Sequence, residues 1–275
     1  MKKKVLVALL MIAVLLTLCA CTVGSTSFLS KSKVNSLVKA YPNPQAELTL
    51  TYTSNSKTIE IKVTYDLLLD KAPLAVTRFV QIANEGGYDG TLVDSYNSTY
   101  KYVVMGRYGE KENADNKSQY YDFRSEDPTF AGEFKQNKYK APKGGYSEFE
   151  LYSLAMFHEN SGEKFDTANG AFIMDLSNDK STKEEETGLN SANYAVFAKF
   201  ATMTVLTDGV VTLRETTSKN SQIYDKMTSL TGTTTRTVYE LNGENSSSIK
   251  IVSDKITLTV KILGNYDWTK LPTIR

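Results

Sequence analysis

A mainly β body with polar loop insertions is what this sequence predicts, and three observations predict it. Apolar residues alternate with polar ones over 48–65 around a short polar turn. One stretch, 73–87, has helical spacing between a Pro start and a Gly-Gly stop. Short apolar runs separated by polar segments then recur as far as residue 263, so strands outnumber helices.

The elements follow in order. Leu48, Leu50 and Tyr52 lie on one face of a first strand, Ser54-Asn55-Ser56-Lys57 form the turn, and Ile59, Ile61, Val63 and Tyr65 lie on one face of the return strand. A period of two with one apolar face predicts a half-buried antiparallel hairpin. In the helical stretch, Pro73 suits a first turn and Val76, Phe79, Val80 and Ala83 share a face. Further strands are expected at 102–105, 153–157, 171–175, 195–200 and 256–263. Polar insertions are expected near 107–130, 177–188 and 207–253, the last with a Thr-rich hairpin-like piece, and a tail at 266–275 carries Trp268. The KEEE run at 183–186 reads as solvated loop.

Composition narrows the function classes. Lys and Arg (32) nearly balance Asp and Glu (31), with no basic stripe, which argues against a nucleic-acid partner. His158 is the only His, GxSxG is absent and no thiol is left over, so a hydrolase triad has no material. The same scarcity of His and Cys argues against a metal site, and no cofactor is implied.

Residues 1–21 are of another kind. MKKK and an apolar run of 14 residues, too short to span a bilayer comfortably, read as an export signal. Leu18-Cys19-Ala20-Cys21 resembles the bacterial lipoprotein lipobox, which implies lipidation at Cys21 on the extracytoplasmic face of the cell membrane; the Ser, Lys, Asn and Pro content of 22–44 suits a tether to a domain over 45–265. Loss of Lys2, Lys3 and Lys4 with the signal takes the formal charge from +1 to −2.

The order of short motifs resembles the cyclophilin family of peptidyl-prolyl cis-trans isomerases. DKAPLAVTRF (70–79), ANEGGYDGT (83–91), GEF (132–134), SLAM (153–156), GAFIM (170–174) and NYAVFAKF (193–200) occur in family order, from about Ala46 to Phe200 and again at Lys255–Leu263. The resemblance implies a closed eight-stranded antiparallel barrel capped by two helices, with Val76, Phe79 and Val80 in the core. It also implies rotation about X–Pro bonds, whose barrier is about 18–20 kcal/mol. Such a site needs an apolar pocket for the proline ring and a donor that favours the twisted amide.

Carried over by position, Asp94 stands where the family has His and Ser95 where it has the catalytic Arg. Tyr102, Val103 and Met105 stand at a Phe, a Met and the Gln that orients the Arg. Tyr96, Tyr100 and Arg107 are the alternatives for the missing donor. Phe172 matches the Phe under the proline ring, Leu189 a wall residue, and Tyr194 a rim His. Phe157 and His158 replace a small Ala-Asn pair in the groove. The expected function is a membrane-tethered prolyl isomerase, of weak activity, acting on proline-containing exported polypeptides. The alternative is a non-catalytic module that binds proline-containing peptides or a partner protein.

Overall fold

The computed structural model describes residues 27–275 except 114, 116, 141–144, 159–165, 178–188, 217–221, 230–231, 243–244, 254, 273 and 275. The export signal, Cys21 and the KEEE run therefore lie outside the described residues. In chain order the elements are α1 (Lys31–Ala40), β1 (Gln45–Ser54), β2 (Lys57–Leu67), α2 (Pro73–Asn84), β3 (Thr91–Asn97), β4 (Tyr102–Glu112) and β5 (Ser118–Asp122). There follow β6 (Leu154–Met156), β7 (Phe172–Asp175), β8 (Val196–Thr207), β9 (Val210–Glu215), α3 (Gln222–Thr228), β10 (Thr233–Glu240), β11 (Ser246–Val252) and β12 (Thr257–Leu263).

The pairings run β4-β3-β12-β1-β2-β8-β6-β7 and close back onto β4, a ring of eight strands in which every step is antiparallel. The hairpin is as its alternation predicts. Leu48 sits opposite Val63 and Leu50 opposite Ile61, all four fully buried. Asn55 (φ 49°) and Ser56 (φ 61°) are both left-handed, the two-residue turn whose twist matches the flanking strands. Side chains from all eight strands meet inside the ring in one core.

Three helices contribute to that core: α1 through Leu37, and α2 and α3 more deeply. Helix α2 packs on β8 and β12, and its Val76, Phe79 and Val80 are fully buried. Its first turn has no side-chain cap of its own. Glu133 supplies one from outside, its carboxylate accepting from the N–H groups of Leu74 (2.9 and 3.0 Å) and Ala75 (3.0 Å). Asp127 then bridges Arg78 of α2 to Arg124, each at 2.7 Å. Helix α3 buries Ile223 and Met227 in the same core and places the Lys226 ammonium 4.9 Å from the Tyr52 ring, near the hairpin end of β1.

Glu133 gives a pH prediction. Burial pushes its pKa from 4.5 to about 8, and the bonds from Leu74 and Ala75 only partly oppose that. The folded chain thus keeps a proton that the unfolded chain has already lost. The associated stability is full below about pH 4.5 and lost as pH rises through about 8. Thermal midpoints of the wild type and Glu133→Gln should show the wild type losing ground from pH 5 to pH 8. A constant gap would mean that Glu133 is ionised throughout.

The insertions are structured where they are described. Strand β4 runs on past the ring and pairs with β5; β5 pairs in parallel with β10 (Tyr120 opposite Val238); and β10–β11 is the expected Thr-rich hairpin. The end of β4 with β5, β10 and β11 thus builds one side sheet with its own small core of Tyr108, Val238 and Ile251, whereas β9 pairs with β8 of the ring.

The expectation of a tether through residue 44 is corrected for residues 27–44. Ser30 caps α1 by accepting from the Lys33 N–H (3.3 Å), and Leu37 and Tyr41 enter the core. Tyr41 stacks on Trp268 of the C-terminal tail (4.7 Å, 6° between planes) and donates to the Asp267 carbonyl (2.7 Å). Among the described residues no helix is long and apolar enough to cross a membrane.

Candidate active site

Strands β3 and β4 pair irregularly at the positions singled out in the sequence. Val93 faces Met105 and Ser95 faces Val104, so Asp94 is the extra residue of a β-bulge. Its buried carboxylate fills the gap in the ladder, accepting from the N–H groups of Arg107 (3.3 Å) and Tyr108 (3.2 Å). Burial raises the Asp94 pKa well above the ordinary range, against the pull of those two N–H groups and of the Arg107 charge.

The bulge opens a cleft of about 370 Å³ lined by Ser95, Tyr102, Val104, Arg107 and Phe157, and closed on the side-sheet flank by Ile249 and Lys250 of β11. Of its two cations, Arg107 and Lys250, Arg107 is the one fixed by a carboxylate. Its Nε and Nη2 both donate to Asp122 Oδ2, at 3.0 and 2.9 Å, and the guanidinium lies 5.0 Å from the Tyr108 ring centroid. Burial alone would lower the Arg107 pKa, but the Asp122 bonds outweigh it and raise it, so the group stays charged. Asp122 engages Nε and Nη2 only, which leaves Nη1 for a ligand's carbonyl. The side chain is 29% exposed.

Next to the cleft, and sharing Val104, Tyr102 and Phe157 with it, lies a second apolar cluster outside the ring: Phe149, Ile173, Leu189, Tyr194 and Val196. Leu189 is 1% and Tyr194 5% exposed, with Phe149 packed edge-on against the Tyr194 ring at 6.4 Å. Burial raises the Tyr194 phenol pKa, so it remains a neutral hydroxyl.

Of the residues singled out in the sequence, the structure brings Ser95, Tyr102 and Phe157 to one cleft, with Leu189 and Tyr194 beside it. Four assignments are corrected. Val103, Met105 and Phe172 are fully buried inside the ring, because successive strand residues alternate between faces. Their neighbours Val104 and Ile173 hold the outer positions, a parity the sequence reading missed. His158 is also no groove residue: it is 2% exposed, its Nε2 lies 2.7 Å from the Asn193 carbonyl, and its ring stacks on Phe134 at 4.9 Å. Arg107, open in the sequence as one of three substitutes for the lost donor, lines the cleft together with Lys250.

Met105 gives a further prediction. Gly106 (φ +83°) lets β4 pass tightly over the rings of Tyr88 and Phe172, where an added Cβ would come within 3.0–3.1 Å. Met105→Gln would set an amide in this apolar interior. It should cost about 1–3 kcal/mol of stability, read as a lower urea midpoint at unchanged slope. An unchanged midpoint would place residue 105 on the outer face.

Among the described residues no group of three or more His, Cys, Asp or Glu is arranged to hold a metal ion. Residues 52–230 match the family model described as cyclophilin type peptidyl-prolyl cis-trans isomerase/CLD. Among solved structures, a cyclophilin type peptidyl-prolyl cis-trans isomerase of Cryptosporidium parvum is similar at 12% identity, covering 81% of this chain and 99% of that one, with a TM-score of 0.44. The same enzyme in the presence of the dipeptide Ala-Pro gives 12% identity, 80% and 99% coverage and a TM-score of 0.44. No curated protein matches the chain.

Proposed function

We propose that this chain, which belongs to the cyclophilin-type peptidyl-prolyl cis-trans isomerase family, is a weak prolyl isomerase for exported polypeptides and is held by lipid at Cys21 on the extracytoplasmic face of the membrane. The observation that carries the catalytic half is the position of Arg107, whose guanidinium lines the same cleft as Ser95, Tyr102 and Phe157. Ser95 stands where the family's Arg would be, and Arg107 offers a guanidinium from the neighbouring strand. Tyr102, Val104 and Phe157 supply apolar wall for a proline ring.

The chemistry is differential binding of a twisted amide. As the X–Pro bond rotates, the nitrogen loses conjugation and regains its lone pair while the carbonyl oxygen loses density, and Nη1 of Arg107 donates to that nitrogen. No bond is broken and no proton needs to leave the arginine. Asp122 holds the guanidinium in place but also draws on its charge, and Phe149 packs edge-on over the Tyr194 ring. Both features fit a low rate.

The membrane half rests on the residues at 18–21 and their place after the apolar run. Its test is the mass of the mature chain, which should carry acyl groups at Cys21, and Cys21→Ser, which should leave the chain unacylated.

One observation favours the second reading, a binding module without catalysis. Ile173, Leu189 and Tyr194 are all 5% exposed or less, so a proline ring reaches them only if side chains over them move. Relaxation of a short Ala-Pro peptide from cis to trans, with the wild type and Arg107→Ala side by side, separates the two.

A further inference from the structure

Away from the cleft, a groove of about 580 Å³ runs between α1 and the turn at 138–140. Its walls are apolar: Phe28, Leu29 and Val38 on one side and Tyr139 on the other, with the Phe28 and Tyr139 rings 4.9 Å apart. Val38 is 37% exposed. The rim is basic. Lys31, Lys138 and Lys140 all line the groove and all are exposed. The one acid among the lining residues, Asp70, has Lys71 at 3.6 Å. A chain whose charge past residue 21 sums to −2 therefore gathers three cations around an apolar slot.

Its position in the chain says what that slot would meet. Phe28 is seven residues from Cys21, and a chain spans at most about 3.6 Å per residue, so the groove begins within about 25 Å of residue 21. A lipid on Cys21 would hold the groove near the bilayer surface however the intervening residues are arranged. Phosphate headgroups suit the lysines, and the glycerol and upper acyl region suits the apolar walls.

We infer that this groove docks on anionic phospholipid, so that the domain lies against the membrane surface in a fixed orientation instead of hanging from its anchor. The inference builds on the tethered reading above, yet its test is separable from it. The probe is the chain from Thr22 onward, which keeps every described residue, with Cys21 absent. It is mixed with sedimenting vesicles of phosphatidylglycerol and phosphatidylcholine, or of phosphatidylcholine alone, at low and at high salt.

The expected result is binding at least about tenfold stronger to the phosphatidylglycerol vesicles, weakened by salt. The triple reversal Lys31→Glu, Lys138→Glu, Lys140→Glu should abolish it, whereas the control reversal Lys57→Glu, Lys111→Glu, Lys261→Glu should retain it. Val38→Asp should weaken binding with the lysines intact. Thermal midpoints establish that each variant is folded. No binding, equal binding to neutral vesicles, or equal loss in both triple variants would overturn the inference. Lipid attachment is read independently, by mass at Cys21 of the full chain. An unmodified Cys21 with a vesicle-binding groove would sink the tether and leave the docking face standing.

Discussion

Phe172→Ala is expected to lower the free energy of unfolding by about 3–5 kcal/mol, the range for deleting a fully buried aromatic ring from a packed core. Phe172 has no solvent exposure, and its ring packs edge-on against Phe79 at 5.5 Å and Tyr88 at 5.4 Å, with Phe197 at 6.2 Å. These four rings join α2 to strands β7 and β8, so the cavity would open where helix and ring meet. Urea unfolding of the variant measures the effect. Near-wild-type stability together with weakened peptide binding would instead put Phe172 on the binding face.

Arg107→Ala is expected to reduce the catalysed part of prolyl isomerisation by about 10²–10³-fold, the range for losing one preorganised donor from an electrostatic site, so that the observed rate falls to the uncatalysed one. Because the side chain is partly exposed, the fold should survive, and Asp122 keeps its bond from the Arg124 N–H at 2.9 Å. Arg107→Lys should recover only part of the rate, since an ammonium carries charge without the planar fork that Asp122 orients. Ser95→Ala should change little. An unchanged rate in Arg107→Ala, with folding verified, would remove Arg107 from the reaction.

How much of this was legible in the residues depended on whether a segment has one apolar face or two. The 48–65 hairpin has one, and its register follows from its period. Pro73 and Gly86-Gly87 likewise bracket α2 with residues whose backbone preferences are strong. Strands β4 and β7 are different, because the ring core covers one face and the Phe149–Leu189–Tyr194 cluster the other. Val103, Val104, Ile173 and Met174 are all apolar, so nothing local says which point inward. A one-residue slip there exchanged Phe172 for Ile173.

Distance along the chain hid the rest. KSKVNSLVKA reads as a polar tether until Tyr41 finds Asp267 and Trp268, 226 and 227 residues later. The parallel pairing of β5 with β10 joins two segments that each read as an insertion. Arg107 lies in the irregular stretch of the β3–β4 ladder, where Asp94 accepts from its N–H, and such an irregularity leaves no mark in the residue pattern.

The account stands most directly on the cis-to-trans relaxation of a short Ala-Pro peptide with the wild-type chain against the uncatalysed relaxation, which takes tens of seconds or more at 25 °C. The account predicts a modest acceleration, proportional to protein concentration and absent in Arg107→Ala. A rate that stays at the uncatalysed value at every protein concentration, while the peptide still binds, would contradict it and leave a recognition module on an isomerase fold.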